Sequence, residues 1–386
     1  MLKILLVVAS LFWYRIAFAY PDFISYGYKS CVTCHFNGMG SGALNDYGRS
    51  LFAAEITAAD ANMTEEQLTA ESGFLGTTEL PWWYRPGAKF RGMFLKTALE
   101  DSKNSQNRFI PMQVSFNQAF LFDQKAEMLV QVSIDYMPTP ARLANSTGPK
   151  PMSLVAKDYY FRWQLTKGYL LYVGLLDKAY GIRHADHTAS NRGMDGFGLN
   201  QNDQSHGVIL QWNKDKFETF FNLFLGNMNQ EESLRQKGLS IMTEYALDKE
   251  LTVGMSILKS SSKYLDEQRI GIHSRVGFAK GKSILAEIGT RSDKALVVKD
   301  EKNGFYSYIQ SMIAFARGYN FLSTYQIYRD DMGSSGVVRN RLSIGADMFP
   351  FRKTEFRVEL INDRTVAIQN SSPDTISAQA QVHVSW

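Results

Sequence analysis

The chain has 386 residues, a formal net charge of +4 and 13% aromatic residues. A balance this near to neutral gives no basis for a nucleic-acid partner. After residue 20, no stretch approaches the roughly 18 consecutive apolar residues of a membrane-spanning helix. An aromatic-rich chain of this kind can still form a membrane barrel, because each barrel strand needs an apolar residue only at alternate positions.

Residues 1–19 have the features of an export signal. A lysine near the start precedes an apolar run from Ile4 to Phe12, and Ala17-Phe18-Ala19 is a small-residue cleavage site. Arg15 ends the apolar run, which is much shorter than the roughly 20 residues of a membrane span. We therefore expect cleavage after Ala19.

Residues 20–80 are predicted to form a small α-helical haem segment. They contain Cys31-Val32-Thr33-Cys34-His35, which reads C-x-x-C-H, the signature for covalent attachment of a c-type haem. The two thiols add across the haem vinyl groups, and the adjacent imidazole reaches the iron as proximal ligand. Zinc would need further ligands close by, and the next histidine is His184. We expect one covalent haem c, attached at Cys31 and Cys34, with His35 on the iron.

The rest of this segment predicts a backbone that passes close to the haem edge, followed by two short helices. Three glycines within Asn37–Gly42 allow the backbone to approach the haem edge. Apolar residues at helical spacing predict a helix over 44–56. The run Thr64-Glu65-Glu66-Gln67 is a capping box, which predicts the start of a second helix.

Residues 81–386 are predicted to form an all-β, transmembrane, antiparallel up-and-down β-barrel of about 16 strands. Alternation is strictest at the end, where Ala378, Ala380, Val382, Val384 and Trp386 share one face. The predicted strands are 89–100, 109–122, 127–137, 154–166, 169–176, 207–213, 217–226, 238–247, 251–260, 269–279, 283–293, 305–317, 321–330, 337–349, 354–362 and 377–386.

The connections between these strands alternate in length. Those after even-numbered strands are tight, such as Lys167-Gly168, and those after odd-numbered strands are longer, such as 138–153 and 177–206. Short turns at one end and long loops at the other are typical of a membrane barrel with an even strand number. Both termini then lie at the short-turn, periplasmic end, with the haem segment at its mouth. The alternative is a soluble β-sandwich or several β domains.

The sixth position on the iron has three candidate ligands, and its identity sets the reactivity of a haem. Met63 is well separated from His35 but is also explained as a hydrophobic staple before the second helix. Met93 lies near the start of the first strand, where packing is the simpler role. His383 faces the lumen by alternation, near the periplasmic end of the last strand, and an ordinary polar lumen role is the competing interpretation.

Other charged and histidine side chains are predicted to line the lumen, with no predicted role at the iron. Alternation points His273 and eight charged residues inward: Asp158, Arg162, Arg275, Arg339, Arg341, Asp347, Arg357 and Glu359. Loop 177–206 carries His184, His187 and His206, with Asp177, Arg183, Asp186, Arg192 and Asp203. It is long enough to fold inward as a constriction, and a surface loop is the alternative.

Two resemblances combine these observations. Residues 31–35 resemble the haem site of c-type cytochromes, and residues 89–386 resemble bacterial outer-membrane porins in architecture alone. Together they imply an outer-membrane location in a Gram-negative-type bacterium, with membrane lipid around the barrel and a periplasmic or extracellular redox partner. A porin-like homotrimer is the oligomer that the second resemblance implies.

Three functions follow as hypotheses. The first is electron transfer, with the barrel as anchor or conduit. The second is a diffusion porin that passes small solutes and whose haem segment plugs or redox-gates the channel. An enzyme, either a peroxidase or a small-molecule reductase, ranks last because the sequence gives no distal acid–base pair beside the haem.

Overall fold

A closed barrel of sixteen antiparallel strands makes up most of the chain that the structure, a computed structural model, describes. The described residues are 21–54, 56–59, 62–76, 80–101, 105–139, 152–183, 203–298, 300–333, 337–366 and 374–386. Each strand pairs with its neighbours in sequence, and the last strand pairs with the first. The predicted fold class is therefore confirmed. The proposed export signal, residues 1–19, lies outside the described residues.

All sixteen predicted strands are present, with ends that differ by a few residues. They are β1 Tyr84–Thr97, β2 Gln106–Leu121, β3 Met128–Pro138, β4 Met152–Thr166, β5 Tyr169–Leu176, β6 Ser205–Lys214, β7 Phe217–Phe224, β8 Lys237–Asp248, β9 Leu251–Ser261, β10 Leu265–Ala279, β11 Lys282–Ala295, β12 Asp300–Ala316, β13 Tyr319–Arg329, β14 Val338–Phe351, β15 Thr354–Val366 and β16 Thr375–Ser385.

The alternation along each strand places polar side chains inside and apolar side chains outside. On β10, Arg269, His273 and Arg275 are buried in the lumen, whereas Ile270 is 43% and Ile272 is 58% exposed on the outer face. This arrangement is the reverse of a water-soluble protein, where large apolar side chains turn inward. An outer surface of this kind suits contact with hydrocarbon.

The barrel closes through hydrogen bonds at the chain terminus. The Trp386 backbone N–H donates to the Ala88 carbonyl at 2.8 Å, and the Ala88 N–H donates to the Trp386 carbonyl at 2.9 Å. The first and last strands pair over eight positions, from Lys89↔Ser385 to Lys96↔Ala378. The start of β1 and the end of β16 therefore lie together at the end of the barrel that carries the short turns.

Two short helices precede the barrel in the described residues. Helix α1 spans Asp46–Ala54, within the predicted range, and helix α2 spans Glu65–Ser72. The capping box at α2 is confirmed, because the Thr64 side chain accepts from the Gln67 N–H while the Gln67 side chain accepts from the Thr64 N–H. Among the described residues, no helix is both long and apolar enough to cross a bilayer.

Candidate haem site in the lumen

The N-terminal segment, residues 21–76, carries the motif, and its stretch from Phe23 to Leu44 lies inside the barrel near the short-turn end. Lumen arginines bind its backbone: Arg162 donates to the Phe36 carbonyl at 3.1 Å, and Arg275 donates to the Lys29 carbonyl at 2.6 Å. Both arginines stand a few residues before a short turn, at the ends of β4 and β10. The barrel wall thus fixes the segment that carries the cysteines.

The C-x-x-C-H motif forms one tight turn. Cys31–Thr33 is a 3-10 turn, and the backbone N–H groups of Cys34 and His35 both donate to the Cys31 carbonyl, at 3.1 and 2.9 Å. Both cysteines are free thiols. The turn presents the two thiols and the imidazole to a single cavity.

Asn45 holds this turn against helix α1, a role that sequence reasoning missed. Its side-chain amide donates to the carbonyls of Val32 and Thr33, at 3.2 and 3.0 Å, and its backbone N–H donates to the Cys34 carbonyl at 2.9 Å. Its side-chain oxygen accepts from the Gly48 N–H at 2.9 Å, which is a helix N-cap. The signal in the sequence was an asparagine at the second position of the predicted helix 44–56, since asparagine is a preferred N-cap residue.

The glycines after the motif permit close contacts with protein, whereas their predicted approach to a haem edge stays a prediction. Gly40 and Gly42 both have positive φ, at +80° and +78°. A Cβ on Gly40 would lie 3.3 Å from the Cys31 Sγ, and one on Gly42 would lie 1.6 Å from the Gln131 Nε2 on the barrel wall. Only glycine therefore lets this stretch pass between the motif and β3.

A cavity of about 1630 Å³, which includes space open to solvent, lies between the segment and the wall. Cys31, Cys34 and His35 line one part of it, and His383 of β16 also lines it. Apolar side chains of the N-terminal segment, including Leu44 and Phe52, contribute to the same surface. Both cysteines, the motif histidine and a histidine of the last strand therefore line the same cavity.

The cavity lining carries more cations than carboxylates. The cations are Lys29, Lys89, Arg91, Lys157, Arg183 and Arg275, and the carboxylates are Asp158 and Asp177. Some of these charges are paired, since Arg275 forms an ion pair with Glu244 and Arg183 lies 3.8 Å from Asp177. The remaining positive balance suits an anionic guest, because opposite charges attract strongly where water is excluded.

Burial keeps the motif side chains uncharged near neutral pH. The pKa of His35 is lowered to about 3, mainly by desolvation and also by the charge of Lys89, while a hydrogen bond with the Ser41 backbone acts in the opposite direction. Desolvation raises the pKa of the Cys31 thiol to about 12 and that of Cys34 to about 11. A neutral imidazole has the lone pair that a metal requires. The buried His35 Nδ1 has no hydrogen-bond partner among the described residues.

Of the three candidate sixth ligands, His383 alone lines the cavity. Met63 lies beside the capping Thr64 of α2, and Met93 is buried on β1, one inward position beyond the cavity-lining Arg91. Met39 also lines the cavity, but it is 3% exposed and packs with Phe36 in an apolar cluster. Geometry thus favours His383, for which an ordinary polar lumen role was the competing interpretation.

The described part of loop 177–206 folds inward, as one of the two sequence alternatives predicts. The Gly181 N–H donates to the Ser256 Oγ at 3.0 Å, and the Ile182 N–H donates to the Glu287 Oε2 at 2.9 Å. Asp177 and Arg183 reach the cavity from this loop. The other predicted loop residues His184, Asp186, His187 and Arg192 lie outside the described residues.

The remaining described histidines have structural partners. His206 bonds to the Tyr159 hydroxyl at 2.6 Å and, through Nδ1, accepts from the Met228 N–H at 3.0 Å. His273 faces the lumen as predicted, and its Nε2 lies 3.0 Å from the Glu244 carboxylate. Neither residue is part of the cavity lining.

The residues at this cavity fit a covalent haem. They offer two free thiols at the required spacing, a neutral imidazole beside them, apolar surface, and cations for the two haem carboxylates. A bare metal ion is a different case: within the described ranges, no three His, Cys, Asp or Glu side chains are grouped to hold one.

The sixteen-strand barrel with an inward-folded loop has the fold of outer-membrane porins. Similar solved structures include a loop L8 deletion mutant of OmpT from Vibrio cholerae, with a TM-score of 0.60 and 8% identity over 78% of this chain and 99% of that chain. The anion-selective porin from Comamonas acidovorans gives a TM-score of 0.56 and 7% identity over 78% and 99%. The channel DcaP of Acinetobacter baumannii gives 0.55 and 10% over 78% and 97%. No family model and no curated protein sequence matches the chain.

Proposed function

We propose that this chain is an outer-membrane porin-fold protein that holds one c-type haem in its lumen and transfers electrons there. The apolar outer face and the porin fold support the membrane assignment. One observation carries the haem assignment: Cys31, Cys34 and His35 line a single lumen cavity. Bound at this site, a haem iron would accept and release one electron.

The chain's own residues would attach and orient the group. Each thiol S–H, from Cys31 and Cys34, would add across one vinyl C=C, so that a thioether forms and the proton ends on carbon without any oxidant. His35 would supply a neutral nitrogen to the iron. Lys89 and Arg91, on the wall of the same cavity, would supply counter-charges for the haem carboxylates.

The site lies near one end of the barrel, and this position bears on how electrons would cross. A single haem cannot cover an apolar band of roughly 25 Å. Electron passage across the membrane therefore needs a redox partner on each side, one of which reaches into the lumen from the long-loop end. We place the short-turn end, and with it the haem segment, on the periplasmic side by analogy with barrels of alternating loop length.

The proposal is tested with the full chain made in a bacterium that matures c-type cytochromes. We expect covalent haem, detected by intact mass and by haem staining after denaturing electrophoresis, in the outer-membrane fraction. In vesicles with a trapped dye reductant, an external acceptor should be reduced by the wild type and not by the Cys31→Ser, Cys34→Ser double variant. Equal rates for both proteins would exclude haem-dependent transfer.

A second candidate function is solute diffusion, with the N-terminal segment as a plug or redox-controlled gate. The porin fold of the similar structures favours it, and one of them is described as an anion-selective porin. Planar-bilayer recordings test this function. Discrete conductance that changes on reduction in the wild type, and not in the double serine variant, would support a gate. Conductance that is the same before and after reduction, and the same in both proteins, would exclude it.

A trimeric assembly is the oligomeric state that we propose with the porin fold. An in-vitro folded OmpT of Vibrio cholerae, with a TM-score of 0.58 and 7% identity, is described in a trimer form. Light scattering of the detergent-solubilised chain, corrected for bound detergent, should give three times the protomer mass; a single protomer mass would contradict this.

A further inference from the structure

We propose that His383 of the last strand is the second axial ligand of the haem attached at Cys31 and Cys34, opposite His35. This inference rests on the proposed haem function and specifies its coordination. It gives the haem one ligand from the N-terminal segment and one from the barrel wall.

The strand pairing puts His383 at the cavity. On β16 it lies opposite Glu355 of β15 on one side and Arg91 of β1 on the other. Both His383 and Arg91 line the cavity into which the two thiols and His35 face. The histidine therefore belongs to the wall that faces the motif, although 348 positions separate it from His35.

The carboxylate of Glu355 orients the imidazole of His383. Its Oε2 lies 2.9 Å from His383 Nδ1, so that Nδ1 is the protonated nitrogen and donates to it. The other nitrogen, Nε2, then has a lone pair, and it has no hydrogen-bond partner in the described part of the chain. A histidine whose second nitrogen donates to a carboxylate is the usual arrangement of a metal ligand.

Cations also lie near His383, and the contact with Glu355, which is shorter than the one with Arg91, decides which nitrogen carries the proton. Arg91 Nη2 lies 3.5 Å from His383 Nδ1, and Lys89 lies two residues before Arg91 on the same inner face of β1. Glu355 is 8% exposed and balances these cations at the ring. Because a carboxylate holds the proton side of the ring, the unprotonated side remains for iron.

Other potential ligands are less suited by position or by partner. His273, another lumen histidine, uses Nε2 on Glu244 and does not line the cavity. Met39 follows His35 by four residues and packs with Phe36 and Ala43. A ligand so close in sequence to His35 has difficulty reaching the opposite face of the haem.

Two histidine ligands have consequences that spectra detect. A haem with two imidazoles is six-coordinate and low-spin, and its closed coordination sphere excludes carbon monoxide. A methionine in the second position would raise the reduction potential. Axial ligation by His383 would also connect the N-terminal segment to the strand that closes the barrel.

The test compares the haem-loaded wild type with His383→Gly and His383→Met in the full chain. The His273→Gln variant is the matched control, because it changes another lumen histidine hydrogen-bonded to a glutamate. Folding of each variant is checked by the shift in electrophoretic mobility between unheated and heated samples. Electron paramagnetic resonance, visible spectra with and without carbon monoxide, and potentiometric titration are the measurements.

We expect a low-spin bis-imidazole signal in the wild type and in His273→Gln. His383→Gly should become high-spin and bind carbon monoxide, and added imidazole should restore the low-spin spectrum. His383→Met should stay low-spin with a higher potential than the wild type. A wild type that already binds carbon monoxide, a methionine-type spectrum, or an unchanged His383→Gly would overturn the inference.

Intact mass separates this inference from the proposed function. Wild-type chain that carries covalent haem but fails the ligand tests leaves the haem function standing and removes His383 from the iron. Wild-type chain without covalent haem overturns the proposed function, and the inference with it.

Discussion

Gly48 of helix α1 determines how closely the helix can approach Cys34. A Cβ at this position would lie 2.3 Å from the Cys34 carbonyl oxygen, far inside van der Waals contact. The neighbouring Asn45 binds the same carbonyl through its backbone N–H. The motif turn is thus held by a residue that lacks a side chain and by the asparagine that caps the helix.

The Gly48→Ala variant tests this contact. Helix propensity alone would favour alanine by about 1 kcal/mol, whereas overpacking of this kind costs about 1–3 kcal/mol. Because the obstacle is backbone, we expect the clash to dominate and the N-terminal segment to become more sensitive to limited proteolysis. Ser50→Ala in the same helix is the control and should leave sensitivity unchanged. Equal or greater protease resistance of Gly48→Ala would contradict the argument.

Site residues that are close in sequence could be predicted, whereas those that the fold brings together from distant positions could be predicted only in part. Cys31, Cys34 and His35 are close in sequence, so their spacing alone predicts a shared site, and the structure places all three at one cavity. For His383, alternation gives the lumen face but not the height along the barrel axis. That height depends on the register of β16 with β1, which only the closed barrel defines. Asp177 and Arg183 reach the cavity because their loop folds inward, and loop length alone left that open.

Among the secondary-structure elements, the barrel strands hold the N-terminal segment through hydrogen bonds with several wall residues. Arg275 is central among them, because it donates to the Lys29 carbonyl and is ion-paired with Glu244. Arg275 is 6% exposed, and Glu244 also binds His273. Removing one member of a buried pair leaves the other charge poorly compensated.

The Arg275→Gln variant should therefore loosen the segment. Loss of one partner of a buried pair costs about 3–5 kcal/mol, so we expect larger or more frequent conductance steps in planar bilayers and faster proteolysis within 21–76. Arg341→Gln removes another lumen arginine, which is paired with Asp363 and does not line the cavity beside Cys31 and Cys34. If both variants behave alike, Arg275 has no specific role in holding the segment.

Strand positions were predictable because alternation and turn chemistry agree, and the errors have local causes. The first strand begins at Tyr84. The prediction placed its start at residue 89, because Pro86 and Gly87 are residue types that usually interrupt strands. Here the missing N–H of Pro86 is tolerated at the beginning of the strand. The twelfth strand begins at Asp300. The prediction placed its start at residue 305, because apolar alternation begins there and the preceding residues are charged or polar.

Across the outer face of the barrel, the stability cost of an added charge should differ between mid-strand positions and positions at the rim. Ile272 lies at the middle of β10, is 58% exposed, and pairs with Ile288 of β11. A side chain at mid-height in a membrane barrel contacts hydrocarbon, whereas one at the rim contacts headgroups and water. The position along the strand should therefore decide the cost of an added charge.

For Ile272→Arg in lipid vesicles, we expect a loss of about 2–4 kcal/mol in the free energy of unfolding. Denaturant titration followed by tryptophan fluorescence measures it. Asp300→Arg introduces the same side chain at the exposed start of β12 and should change stability by about 0–1 kcal/mol. Comparable losses at both positions would argue against a hydrocarbon environment around the barrel.

The closure of the barrel by its last strand sets an order of events in biogenesis. Cys34 is 7% exposed, and both thiols face the inside of a wall that is complete only when β16 pairs with β1. On the haem function that we propose, the attaching machinery would need access to both thiols. Attachment at Cys31 and Cys34 would then precede closure, so cofactor loading would be a maturation step that ends when β16 pairs with β1.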